Sequence, residues 1–153
     1  MENTLRDFLN TEVELAKVMF DKRGKIHIMF VGLDADGMRH PVLAITYGDD
    51  DKDAAAEIAR VYFAAHGIVR YACHSEAWLL TVPKDQPISV TRPRDHPDRF
   101  EAVVVQAYDK TPNSLCAMMK IVRNVNARAR LAPPEISEGP SIGRFANLLE
   151  TKQ

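Results

Sequence analysis

The stretch HSEAW at residues 74–78 places three side chains that could do chemistry inside a run that otherwise predicts a buried strand. Residues two apart in a strand share a face, so His74, Glu76 and Trp78 are expected together, with Arg70 on the same face. A histidine beside a carboxylate can act as a general base, and a tryptophan can form an apolar wall. The alternative is a half-exposed face whose charges pair across strands while Trp78 covers the rim of the core.

The segment RPRDHPDRFE at residues 92–101 could supply the second half of such a site, because binding residues often lie where a loop enters a strand. Its candidate side chains are His96, Asp98, Arg99 and Glu101. An ion pair between Glu76 and Arg99 would explain both residues without chemistry. Asp98, next to Pro97, could equally serve only to form a turn.

The two segments together resemble a family of small bacterial and phage proteins that carry an S-E-A-W strand followed by an H-P-D-R-x-E segment. The resemblance covers roughly residues 65–110 of this chain. It implies no known reaction. It points to the following positions: Glu76, Trp78, His96, Pro97, Asp98, Arg99 and Glu101.

Two classes of function stay open at this point. The favoured hypothesis is a small binding or assembly module of bacterial or mobile-element origin, because no established catalytic motif is present. The alternative is a hydrolase in which His74 or His96 is the base, Glu76 orients it and Arg99 binds an anion. Nucleic-acid binding is disfavoured by a formal net charge of -1, despite the arginines near residues 123–130.

The composition is that of an ordinary globular domain, with 46% apolar and 27% charged residues among 153. The first residues lack the basic and apolar pattern of a signal peptide, and no apolar run reaches the roughly 18 residues of a membrane span, so we expect a cytoplasmic protein.

Cys73 and Cys116 lie in apolar runs, and we expect both to be buried thiols. We expect no metal site and no cofactor.

Periodicity divides the chain into alternating elements. Apolar spacings of three and four predict a helix over 3–22, and a second helix over 48–67 whose apolar stripe is Ala54, Ile58, Val61, Tyr62 and Ala65. Two strands flank a turn at Asp36-Gly37. Further strands are predicted over about 68–82, 100–109 and 115–125, with a surface loop before the second of these.

This order predicts a single α+β domain over residues 1–125, with a mixed or largely antiparallel sheet of about five strands and helices packed on one face. Residues 126–153 are predicted to form an extended C-terminal arm, irregular through its prolines, that ends in a short helix. Ile142, Phe145, Leu148 and Leu149 would form the apolar stripe of that helix. This stripe needs a surface to cover, which is either this chain's own sheet or a second copy. We favour the second copy, which makes a homodimer the predicted assembly.

Overall fold

The fold is an α+β domain, as predicted. The computed structural model describes residues 4–43, 49–79, 97–124, 126–141 and 145–149. Within these ranges the elements are α1 (Leu5–Arg23), β1 (Met29–Asp34), β2 (Arg39–Leu43), α2 (Asp49–Ala65), β3 (Ile68–Leu79), β4 (Phe100–Tyr108), β5 (Asn113–Val122), β6 (Arg130–Leu131) and β7 (Glu135–Pro140). Neither helix has a segment long and apolar enough to cross a membrane.

The strands form one sheet in the order β2-β1-β3-β4-β5-β6, and β7 also pairs with β5. Every described pairing is antiparallel, and the sheet has seven strands where about five were expected. Strand β3 pairs with β1 and not with β2, so the connection through α2 crosses over β1. This crossover places β3 antiparallel to its neighbours.

The two helices cover opposite faces of the sheet, which corrects the expectation that both lie on one face. Ala72 of β3 belongs to a core that includes the buried face of α1. Its neighbours Tyr71 and Cys73 point the other way, into a second core that includes α2. Helices are needed on both sides because the central strands are apolar on both faces.

Helix α1 begins and ends where its capping residues require. The Thr4 hydroxyl accepts a hydrogen bond from the Asp7 N–H, and Gly24 ends the helix in the left-handed conformation at φ 71°. Its buried face is apolar except for one charged residue, Glu12. The buried residues are Phe8, Leu9, Glu12, Val13, Ala16 and Phe20.

The turn between β1 and β2 forms as predicted at Asp36-Gly37. Gly37 adopts φ 83°, a conformation that a side chain would disfavour. The Asp34 side chain accepts hydrogen bonds from the N–H groups of Asp36 and Met38 and so holds the loop.

Helix α2 packs on a different face from the predicted one. The residues against the sheet are Ala55, Ala56, Ala59 and Phe63. Ile58 and Val61, expected in the core, are 63% and 61% exposed. The surface under the helix is filled by aromatic rings, so small side chains let α2 approach it. The larger aliphatic residues remain outside.

The C-terminal arm is not irregular, which corrects a second expectation. Glu135–Pro140 forms β7 on β5, with Ile136 packed against the α1-side core. The arm's prolines are compatible with this because an edge strand needs to donate hydrogen bonds on one side only. Residues 145–149 form turns; Ile142 lies outside the described residues, so the terminal helix is not seen.

The apolar side chains at the end of the chain pack on the chain's own core. Leu148 is 1% exposed, and Phe145 meets Phe30 edge to face at a centroid distance of 5.1 Å. The Tyr71 hydroxyl donates to the Phe145 carbonyl at 2.6 Å and accepts from the Leu148 N–H at 3.2 Å. Three of the four side chains predicted to cover a second copy therefore pack on this chain's own core, and the homodimer stays a prediction.

These two hydrogen bonds predict the effect of a single substitution. Tyr71→Phe should lower the free energy of unfolding by about 1–3 kcal/mol, because it leaves two buried backbone groups without their partner. Urea unfolding followed by circular dichroism measures the change. The matched control is Tyr108→Phe, since the Tyr108 ring stacks on Tyr71 but its hydroxyl bonds to no described residue. Equal losses in the two variants would contradict this account of how the C-terminus is held.

Candidate functional site

The predicted cluster around residues 74–78 is divided between the core and the surface. His74 is completely buried, and its Nε2 lies 3.0 Å from Oε1 of Glu12, which is also completely buried. Glu12 comes from α1, so this pair joins the helix to β3. Glu12 thus takes the place beside His74 that Glu76 was expected to take.

Arg39 at the start of β2 completes the buried cluster. Its Nε and one terminal nitrogen donate to the two carboxylate oxygens of Glu12 at 3.0 and 2.9 Å. Burial by itself would raise the pKa of the Glu12 carboxyl, but the hydrogen bonds from His74 and Arg39 outweigh burial and lower that pKa. Glu12 is therefore ionised at neutral pH, and His74 Nε2 carries the proton that it donates.

This arrangement does not suit His74 for catalysis. Its Nε2 is engaged by Glu12, and its Nδ1 is buried with no hydrogen-bond partner among the described residues. No substrate can reach either nitrogen while the side chain has no exposed surface. The cluster instead ties α1 and β2 to the centre of the sheet.

Four of the other predicted residues do meet on one surface. Trp78 faces Glu101 across the β3–β4 pair, and the Arg99 guanidinium lies 4.8 Å from the centroid of the Trp78 ring. Glu101 accepts a hydrogen bond from Arg123 at 2.7 Å. Trp78 is 42% exposed. We call this surface the Trp78 strip; it consists of Glu76, Trp78, Arg99, Glu101 and Arg123.

The contacts within the Trp78 strip agree with a solvated face better than with a catalytic one. Glu76 accepts a hydrogen bond from the Ile26 backbone N–H at 2.7 Å, where an ion pair with Arg99 or Arg70 was expected. Asp98 is exposed in a turn, and His96 lies outside the described residues. Ion pairs in water contribute little to stability or chemistry by themselves.

The cysteines offer no reactive centre. Burial raises the pKa of the Cys73 thiol to about 12 and also raises the pKa of the half-buried Cys116. A protonated thiol is a poor nucleophile and a poor metal ligand. Within the described ranges, no three side chains among His, Cys, Asp and Glu are grouped closely enough to hold a metal ion.

The exposed side of α2 is a better candidate for a binding surface than the Trp78 strip. We call it the outer face of α2 and define it as Ala54, Ile58, Val61 and Ala65, all of which are exposed. Together with three neighbours, the last three of these residues line an open groove of about 430 Å³. The neighbours are Glu57, Tyr62 and His66.

A chain of hydrogen bonds from the β1–β2 hairpin fixes the aromatic edge of this groove. His40 lies between Asp34 and Tyr62, with Nε2 2.9 Å from the Asp34 carboxylate and Nδ1 3.1 Å from the Tyr62 hydroxyl. The hydrogen bond with His40, helped by two backbone N–H groups, lowers the pKa of Asp34. His66 stacks on Tyr62 at a centroid distance of 3.9 Å. Both rings are thus held in place before any partner arrives.

Sequence reasoning missed the residues that build these two clusters. Glu12 had a local signal, since it lies four residues from both Phe8 and Ala16 on the apolar stripe of α1. The contact between His40 and Tyr62 joins residues 22 positions apart, and no local sequence pattern predicts it. The outer face of α2 was seen in the sequence but was assigned to the core.

Comparisons with protein-family models, with curated proteins and with solved structures give no match. The resemblance carried by residues 75–78 and 96–101 therefore stays a prediction.

The buried cluster predicts how stability depends on Glu12. Glu12→Gln should lower the free energy of unfolding at pH 7 by about 1–3 kcal/mol, because a neutral amide cannot accept the hydrogen bonds of both His74 and Arg39. Because its folded-state pKa is lowered, ionised Glu12 stabilises the fold above the ordinary pKa of 4.5. That contribution is lost as the pH falls through the lower folded-state pKa. Urea unfolding between pH 3 and pH 7 measures both effects, and the variant should show the flatter pH dependence below the ordinary pKa.

The control is Glu14→Gln, two residues away on the same helix. Glu14 pairs with Lys17 at the surface and with no other described residue, and its side chain is 71% exposed. Its substitution should change stability little. If the two variants are equally stable at pH 7, the buried cluster does not hold α1 on the sheet.

Proposed function

We propose that this protein is a binding or assembly module that uses the outer face of α2 to hold another protein. One observation carries the proposal. Ile58 and Val61 are large aliphatic side chains, they lie one turn apart, and each exposes more than three fifths of its surface. Scattered apolar residues are normal on a surface, but a continuous apolar stripe on a helix indicates a contact surface.

The two-sided character of α2 supports the proposal. One side already packs on the sheet through Ala55, Ala59 and Phe63, and the outer face is apolar as well. A helix that is apolar on two sides is usually buried on both. Removing Ile58 and Val61 from water would contribute roughly 1–2 kcal/mol for each side chain, before the cost of association.

The aromatic edge adds the features of a recognition surface. Tyr62 and His66 combine apolar rings with polar tips, and such side chains are common where proteins bind one another. The Asp34–His40 contact holds Tyr62, so little side-chain entropy remains to be lost on binding.

The hydrolase alternative has less support. It needs a base that a substrate can reach. Of the two candidate bases, His74 has no exposed surface and His96 lies outside the described residues. Arg99 stacks on Trp78 at the surface, whereas His74 bonds to Glu12 in the core. The geometry of the described residues supports binding better than it supports any reaction.

Photo-crosslinking in the cell that encodes the protein tests the proposal. A photoreactive side chain introduced at Ile58 should give one or a few defined crosslinked species, because a partner lies within reach of that position. The products are separated by gel electrophoresis and identified by mass spectrometry.

The matched control places the same photoreactive group at Val18. That residue is 51% exposed on α1, away from the groove. A yield at Ile58 no higher than the yield at Val18 would count against the outer face of α2 as a binding surface.

A further inference from the structure

We infer that the occupant of the outer face of α2 is a second copy of this chain, bound so that the two α2 helices run antiparallel across a two-fold axis. The inference rests on the proposed function and specifies its partner. It is drawn from the spacing, size and charge of the side chains on α2.

The spacing on the outer face is that of a helix-pairing seam. Ala54, Ile58, Val61 and Ala65 follow one another at intervals of four, three and four residues. This alternation keeps apolar side chains on one line facing a partner helix, as in a coiled coil. The seam extends for about 16 Å along the helix.

The order of side-chain sizes along the seam is the same in both directions. Two small alanines lie at its ends and two large aliphatic residues lie in its middle. In an antiparallel pair centred between residues 59 and 60, Ala54 is level with Ala65 of the second copy, and Ile58 is level with Val61. A two-fold axis requires such a self-complementary patch, because the same surface must serve both partners. A different protein partner would not require this symmetry.

The charges along α2 also favour the antiparallel direction. Asp51 and Asp53 outnumber Lys52 in its first half, and Arg60 lies in its second half. The antiparallel register places the acidic first half of each helix beside the second half of the other. It also sets the helix dipoles in opposition, whereas a parallel pair would place acid beside acid.

The intramolecular packing of the C-terminus leaves α2 as the candidate for self-association. Phe145, Leu148 and Leu149 pack on the same core that the inner side of α2 covers. The seam is short, so the interface should fall below about 1,200 Å² and the dimer should be reversible.

Sedimentation equilibrium of the full chain tests for the second copy. From about 1 µM to about 1 mM, the 17.2 kDa chain should convert reversibly to a species of twice that mass. Ile58→Glu should weaken this association by about a hundred-fold, because the new carboxylate occurs twice across the axis. Val18→Glu is the control and should leave it unchanged. Circular dichroism establishes that both variants are folded.

Single cysteines test the direction of the pair. On a Cys116→Ser background, Ala54→Cys and Ala65→Cys chains are oxidised separately and as a mixture. In the antiparallel register residues 54 of the two copies lie about 16 Å apart, too far for a disulfide, while 54 and 65 are level. Covalent dimers should therefore form in the mixture and contain one chain of each kind.

The outcomes separate this inference from the proposed function. A wild-type chain that stays monomeric to about 1 mM overturns the second copy as occupant, although photo-crosslinks from Ile58 to another protein would still support a binding module. Disulfides that join residue 54 to residue 54 overturn the antiparallel direction. Unchanged association of the Ile58→Glu chain overturns the outer face of α2 as the interface.

Discussion

The aromatic layer between α2 and the sheet is the constraint from which most of this structure follows. Tyr71 and Tyr108 stack at 4.7 Å on neighbouring strands, and Phe63 of α2 packs against Tyr71 at 5.2 Å. Apart from Phe63, the residues of α2 that are buried against these rings are alanines. Protein interiors are packed closely enough that the larger Ile58 and Val61 have no room on that side.

The same aromatic layer also holds the C-terminal segment in place. The Tyr71 hydroxyl reaches the backbone of residues 145 and 148, and Phe145 packs edge to face on Phe30. The end of the chain therefore completes the core beneath α2. On the other side of that helix, Ile58 and Val61 remain exposed.

The opposite face of the sheet is packed differently, because a charged residue, Glu12, lies near its centre. Glu12 is stable there only because His74 and Arg39 satisfy both of its oxygens. Removing such a charge from water costs several kcal/mol, and the contacts with His74 and Arg39 offset that cost. It fixes α1 over the middle of the sheet, and the Trp78 strip remains exposed.

Local patterns predicted the elements well and their partners less well. The two helices, the Asp36-Gly37 turn and the α+β class could be read from period, caps and turn residues, since these depend on neighbouring residues alone. The choice of α2 face could not, because it depends on rings contributed by β1, β3 and β4. Strand β7 has Ile136 as its single large apolar residue, so its alternation was too weak to see.

The candidate site shows the same division. Sequence placed His74, Glu76 and Trp78 correctly on one face of a strand, but α1 covers His74 and stops short of Trp78. Which of the three is buried depends on the length and position of a helix elsewhere in the chain. The stripe of α2, by contrast, was recognised as apolar from sequence, and only its location in the fold was wrong.

Methyl NMR over a dilution series of the full chain tests most directly whether the outer face of α2 is an assembly surface. The methyl resonances of Ile58 and Val61 should shift with chain concentration, while those of Val18 stay constant. If the Ile58 and Val61 resonances are identical across the series, and no added protein moves them, the outer face of α2 is simply an exposed apolar stripe.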